Sequence, residues 1–165
     1  MKYQLFVLVM SVVACGGGTP EPAAVEPSTE GAVSKCEPKP ALAATAKATP
    51  KVLVCDDKEK LPAATDACNG GDPAQCYVVG SCFAMQILMI GDKDPVQRAK
   101  AIEMGKKAMR VACDGGIADG CYSRAGMIEN QTTNRRAREE ACEDVIRACH
   151  LGKQAGCMSC LACGS

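Results

Sequence analysis

The chain has 165 residues, enough for one small domain, with 13 cysteines, 16 glycines and no tryptophan. Nineteen basic side chains balance nineteen acidic ones, so no long-range field draws the chain toward nucleic acid. So many thiols would be a liability in a reducing compartment, which tells against an ordinary cytosolic enzyme and leaves a disulfide-stapled exported protein or a metal protein.

At the N-terminus, Met1-Lys2 and the apolar run Leu5 to Val13 read as a charged n-region and a short h-region, too short to span a bilayer as a helix. The run closes on Val12-Val13-Ala14-Cys15, which resembles the bacterial lipobox. That resemblance implies removal of residues 1–14 as a signal peptide and acylation of Cys15; the alternative is a plain secretory peptide cut elsewhere, with Cys15 a disulfide partner. Gly16-Gly17-Gly18 suits a flexible tether, and glycine rather than aspartate after the lipidated residue points to the outer membrane by the bacterial sorting rule. With no second hydrophobic segment expected, the lipid would be the only contact with the bilayer core. Residues 15–51, rich in Pro, Ala, Thr, Glu and Lys, are expected to form an extended, disordered stalk.

Beyond the stalk, three segments align on their cysteines: Ala67-Cys68 to Cys76, Ala112-Cys113 to Cys121, and Ala148-Cys149 to Cys157. Each carries glycine at the same offset (Gly71, Gly116, Gly152), and the last two copies start 36 residues apart. The spacing is that of a helical hairpin: a left-handed glycine ends one helix, and a second helix runs back. Asp72-Pro73 and Asp94-Pro95 supply N-cap and first-turn proline for the helices that follow. From Pro95 to Cys113, Ala101, Met104, Ala108 and Val111 adjoin Ile102, Gly105, Met109 and Ala112 on neighbouring helical rows. From Arg135 to Cys149, Ala141, Val145 and Ala148 share a broad face with Cys142, Ile146 and Cys149. No strand is expected.

The A-C-x-x-G-x-x-x-x-C motif, the 36-residue period and Gly80 four residues after Cys76 resemble the Sel-one-like repeats, relatives of the tetratricopeptide repeats, in their cysteine-rich Hcp form. The resemblance implies an all-α fold, a short right-handed α-solenoid of disulfide-clipped helical hairpins, occupying residues 52–165. It implies the pairs Cys68 with Cys76, Cys113 with Cys121, and Cys149 with Cys157. It also implies a protein- or peptide-binding scaffold, although β-lactamase or penicillin-binding activity has been credited to some members. The first spacing is 45 rather than 36, which places about nine extra residues near Met89 to Val96.

Cys36, Cys55, Cys82, Cys142, Cys160 and Cys163 remain without assigned partners. Cys142 looks toward the last helix and favours Cys160 or Cys163; Cys36 with Cys55 would tie the end of the stalk into a loop. The rival use of these thiols is metal, because Cys157-x-x-Cys160-x-x-Cys163 begins like a bacterial ferredoxin run, yet the fourth cysteine and proline are missing. Cys160-x-x-Cys163 also lacks the strand and helix start of a thioredoxin site. No metal or cofactor is expected.

His150, the lone histidine, reads as a polar residue at a helix end. No serine precedes lysine by three, and no zinc-protease, serine-elbow or phosphate-loop motif occurs, so no catalytic residue is assigned. Glu139-Glu140 and Glu143-Asp144 lie at helical spacing from Arg135, Arg136, Arg138 and Arg147, which predicts ion pairs within one helix. Arg98, Lys100, Lys106, Lys107 and Arg110 against Glu103 form the one charge bias, a solvated face or a contact for peptidoglycan or lipopolysaccharide. The expected partners are an envelope protein or peptide, and the membrane through the anchor.

Overall fold

The computed structural model describes residues 36–52, 55–130 and 134–164. The leader, Cys15 and the first part of the stalk lie outside the described residues. Among the described residues seven helices follow one another: α1 (Pro40–Ala43), α2 (Lys60–Asn69), α3 (Pro73–Ile90), α4 (Pro95–Asp114), α5 (Ala118–Glu129), α6 (Arg135–His150) and α7 (Gln154–Cys160), closed by a 3-10 turn at Leu161–Gly164. No strand occurs among the described residues. From α2 on, each helix packs on its neighbours in the chain.

The helices start where their caps are. Asp72 accepts hydrogen bonds from the Ala74 and Gln75 amides, Asp94 from Gln97, and Asn134 from Ala137. Each such cap is worth about 1 kcal/mol, and Pro73 and Pro95 add a first-turn φ already set for a helix.

Three turns join α2 to α3, α4 to α5 and α6 to α7, and they are the same turn. Gly71, Gly116 and Gly152 all have φ of +89°, where a side chain would be strained. Each glycine N–H bonds back to the motif cysteine's carbonyl (Cys68, Cys113, Cys149), and the next residue's N–H to the preceding alanine's (Ala67, Ala112, Ala148). This paired pattern closes the helix end and reverses the chain. Across each turn the two motif cysteines are bonded, Cys68 to Cys76, Cys113 to Cys121 and Cys149 to Cys157, with Cα atoms 4.5 Å apart in all three.

The hairpins stack turn on turn. Cys76 and its partner pack with Ala112 and Ile117 of the next turn, and the Cys113–Cys121 bridge packs with Ala148 and Leu151 of the one after. The largest fully buried side chains are Ile102, Met109, Ile117 and Ile128 together with the half-cystines 76, 113, 121, 149 and 160. Sulfur thus fills space that aromatic rings fill elsewhere; Tyr77, Phe83 and Tyr122 are only half-buried. On α4, Ala101 and Ala108 are buried as their row predicts, but Met104 is exposed and Val111 half-buried.

Three expectations are corrected. Residues 36–50, assigned to the stalk, run back along the turns as a strap. The Lys47 N–H bonds to the Gly116 carbonyl, Thr49 donates to Asp119, Ala43 lies beside Gly152, and Ala46 joins the Cys113 cluster. Cys36 is bonded to Cys160, not Cys55, and Cys55 is bonded to Cys82. The reason is geometric: the strap begins at the last hairpin, which puts Cys36 beside α7. The third concerns apolar segments. Helix α3 has 18 residues, no charged side chain and a mean hydropathy of 1.4, long and apolar enough to cross a membrane by length and composition. Here it packs between α2 and α4, with 28% of it buried.

Candidate binding groove

The extra residues of the first repeat lie around Met89 to Val96, on either side of the connection 91–94. They lengthen both helices around it: α3 exceeds α5 by six residues and α4 exceeds α6 by four, while the connection 91–94 is one residue shorter than 130–134. The lengthened part projects past the rest of the array. It carries Met85, Leu88, Met89 and Val96, of which Leu88 and Met89 are 81% exposed and Val96 78%.

Two recesses adjoin on this projection. One, of about 710 Å³, lies between the start of α2 and the second half of α3, lined by Leu61, Thr65, Val79, Phe83, Met85 and Met89, with the Cys55–Cys82 bridge in its wall and Asp56 beside it. The other, of about 510 Å³, lies between α3 and the start of α4, lined by Val96, Gln97, Lys100, Ala101 and Met104. Phe83 and Gln86 line both, so the two form one groove over α3, mostly apolar and rich in methionine. Methionine surfaces adapt to partners of varied shape because three rotatable bonds let the side chain refit. At the rim, Lys100 begins a stripe that continues through Lys107 and Arg110 along α4, while Glu103 is taken up by Lys106 at 3.1 Å.

A second, polar cleft of about 300 Å³ lies where α4, α5 and α6 meet, lined by Arg110, Asp114, Arg124, Glu143, Asp144 and Arg147. Its floor is a buried ion network. Arg124 reaches Asp144 at 2.7 Å and also Glu140, and its Nε is buried with no hydrogen-bond partner. Burial pushes Asp144 up to about 6 and Glu140 beside it adds to this, against the opposing pull of Arg124. Arg147 pairs with Asp114 at 2.7 Å. Of the ion pairs expected within α6, Arg135 with Glu139 forms, whereas Glu140 and Asp144 reach Arg124 of α5 and Arg147 reaches Asp114 of α4.

The remaining cysteines are placed by the same packing. Cys142 is bonded to Cys163. Cys157, Cys160 and Cys163 thus go to three different partners, Cys149, Cys36 and Cys142, and their thiols do not converge. Among the described residues no cluster of three His, Cys, Asp or Glu side chains is placed to hold a metal ion. His150 is the last residue of α6, half-buried. The groove residues Phe83, Met85, Gln86 and Met89 escaped the sequence reading. Their signal was the nine-residue excess in the first spacing together with an uncharged, methionine-rich α3. No protein-family model matches the chain, nor does any curated protein or solved structure.

Proposed function

We propose that this chain is a protein- or peptide-binding repeat scaffold of the bacterial cell envelope, lipidated at Cys15 and held at the outer membrane. In this reading α2 to α7 form a short right-handed solenoid of the Sel-one-like kind. The observation that carries it is the groove over Phe83 and Gln86: the largely exposed apolar side chains of Leu88, Met89 and Val96 flank a recess on a projection built by extra residues. Exposed apolar surface of this kind costs solubility unless a partner covers it.

The occupant that fits is an amphipathic helix with an apolar stripe and an acidic edge. The apolar stripe would enter the groove as anchors one turn apart, and the acidic edge would face Lys100 and Lys107. The test is fluorescence anisotropy with helical peptides that share one leucine stripe and differ only in carrying glutamate or lysine on the flanking face. The glutamate peptide should bind at least tenfold more tightly, and Lys100→Glu with Lys107→Glu should reverse the preference. Equal binding of both peptides, or none, overturns the reading. Turnover of nitrocefin by the oxidised protein would overturn it in favour of the hydrolase activity that the family resemblance also implies.

A further inference from the structure

The six bridges are nested and crossed rather than sequential. Three join neighbours in cysteine order: Cys68 to Cys76, Cys113 to Cys121 and Cys149 to Cys157. Each of these lies inside a wider one. Cys55–Cys82 encloses the first, Cys142–Cys163 encloses the third, and Cys36–Cys160, with a separation of 124 residues, encloses four of the other five and crosses Cys142–Cys163. A chain grows and is exported from its N-terminus, so Cys36 and Cys55 are the first described cysteines to meet an oxidant. Neither is the other's native partner. The partner of Cys36 sits in α7, and the surface that receives the strap, made of the turns at Gly116 and Gly152 and of α6, does not exist until the last third of the chain is out. Loop closure favours the near cysteine over the far one throughout that interval.

From this non-sequential connectivity we infer that the chain is a substrate of a thiol–disulfide isomerase in the compartment where it folds, a protein partner whose reactive thiolate moves Cys36 from Cys55 to Cys160. The electrons balance as follows. An oxidising disulfide takes two electrons and two protons from Cys36 and Cys55 and leaves as a dithiol. The isomerase thiolate then attacks the Cys36 sulfur, forming a mixed disulfide and releasing Cys55 as thiolate. Once α7 is in place, the Cys160 thiolate attacks the same Cys36 sulfur and expels the isomerase thiolate unchanged, with no net oxidation. Cys55 and Cys82 are then oxidised by a second equivalent of the same oxidant. The native bridge is protected afterwards, because Cys160 is 2% exposed.

The test expresses the full chain, with its own leader, in bacteria that have or lack their envelope disulfide isomerase, and maps the bridges by mass spectrometry of proteolysed, alkylated protein. Without isomerase, peptides linking Cys36 to Cys55 should dominate and the Cys36–Cys160 species should fall at least tenfold. An isomerase lacking its resolving cysteine should trap the chain as a mixed disulfide. The variant Cys36→Ser with Cys160→Ser should form its other five bridges equally in both strains. Native Cys36–Cys160 at the same level in both strains overturns the inference. So does a Cys36→Ser, Cys160→Ser variant that still depends on the isomerase, or a chain recovered with its thiols free.

Discussion

Asp144 is the residue whose surroundings and charge disagree most. It lies 2.7 Å from Arg124, yet burial and the neighbouring Glu140 hold its carboxyl up at about 6. An acid whose pKa is higher folded than unfolded binds more protons when folded between its two values, here between the model-peptide value of 3.8 and about 6. Its contribution to stability is therefore fully present below that window and is lost as the pH rises through it. The native protein should show a melting temperature that gains from Asp144 on going from pH 7 to pH 5. Asp144→Asn, neutral throughout, should flatten that slope without removing the acceptor for Arg124, which a pair of thermal melts at each pH will show. Arg124→Ala is the harsher change. It strands Asp144 and Glu140 without their cation, and breaking a buried pair costs about 3–5 kcal/mol. None of this was legible from α6 alone. The helical spacing of acids and arginines is the same whether they pair within the helix or reach across it, and only the position of α5 decides.

At the scale of the helical hairpin, the three turns test how far a shared backbone excuses different side chains. Gly71 and Gly115 are both turn glycines, for different reasons. Gly71 has φ of +89° and open space around it, so Gly71→Ala meets only the left-handed penalty, about 1–2 kcal/mol. Gly115 has an ordinary φ of −77°, but a Cβ there would lie 2.2 Å from Pro73 of the preceding turn. Gly115→Ala should therefore cost more, and Pro73→Gly should recover part of the loss, whereas the same change should not rescue Gly71→Ala. Urea unfolding of the four variants measures this coupling. The third turn shows the solution without close approach, since Leu151 takes the place of Gly115 and is buried against the Cys113–Cys121 bridge. The contrast explains what the sequence could and could not reveal. A turn is local, so cysteines eight apart with a glycine between them disclose the hairpin, its left-handed glycine and its helix limits. The groove is not local. It depends on where the lengthened α3 leaves Phe83 and Met89 relative to α2 and α4, and the sequence shows only that nine residues are extra.

Over the whole molecule the strap decides how the array is closed and presented. The first two clips are each covered by the next turn, but among the described residues no further turn covers Cys149–Cys157. Cys36 stands in: its carbonyl oxygen lies 3.1 Å from the Cys149 Sγ, and its own sulfur is bonded to α7. From there the strap passes Gly152, Gly116 and Asp119 toward the first hairpin; on the way Lys153 of the third turn and Thr49 of the strap together hold Asp119 ionised against the cost of its burial. Any tether N-terminal to Cys36 thus leaves from the last hairpin, while the groove lies on the first. The strap's hold depends on one bridge, because its other contacts are a few hydrogen bonds on a segment whose longest helix has four residues. In the chain-entropy account a bridge closing about 100 residues is worth about 4.7 kcal/mol, and the four bridges inside this loop and the one that crosses its end shorten the span it closes, so the gain is smaller here. Replacing Cys36 and Cys160 with serine should release the strap while leaving the hairpins clipped. Hydrogen exchange reads this directly: the Lys47 amide, bonded to Gly116, should lose its protection by tenfold or more, while the amides of Gly116 and Ile117, bonded within their own turn, should keep theirs. Protection lost equally at all three would mean that Cys36–Cys160 holds the array itself together.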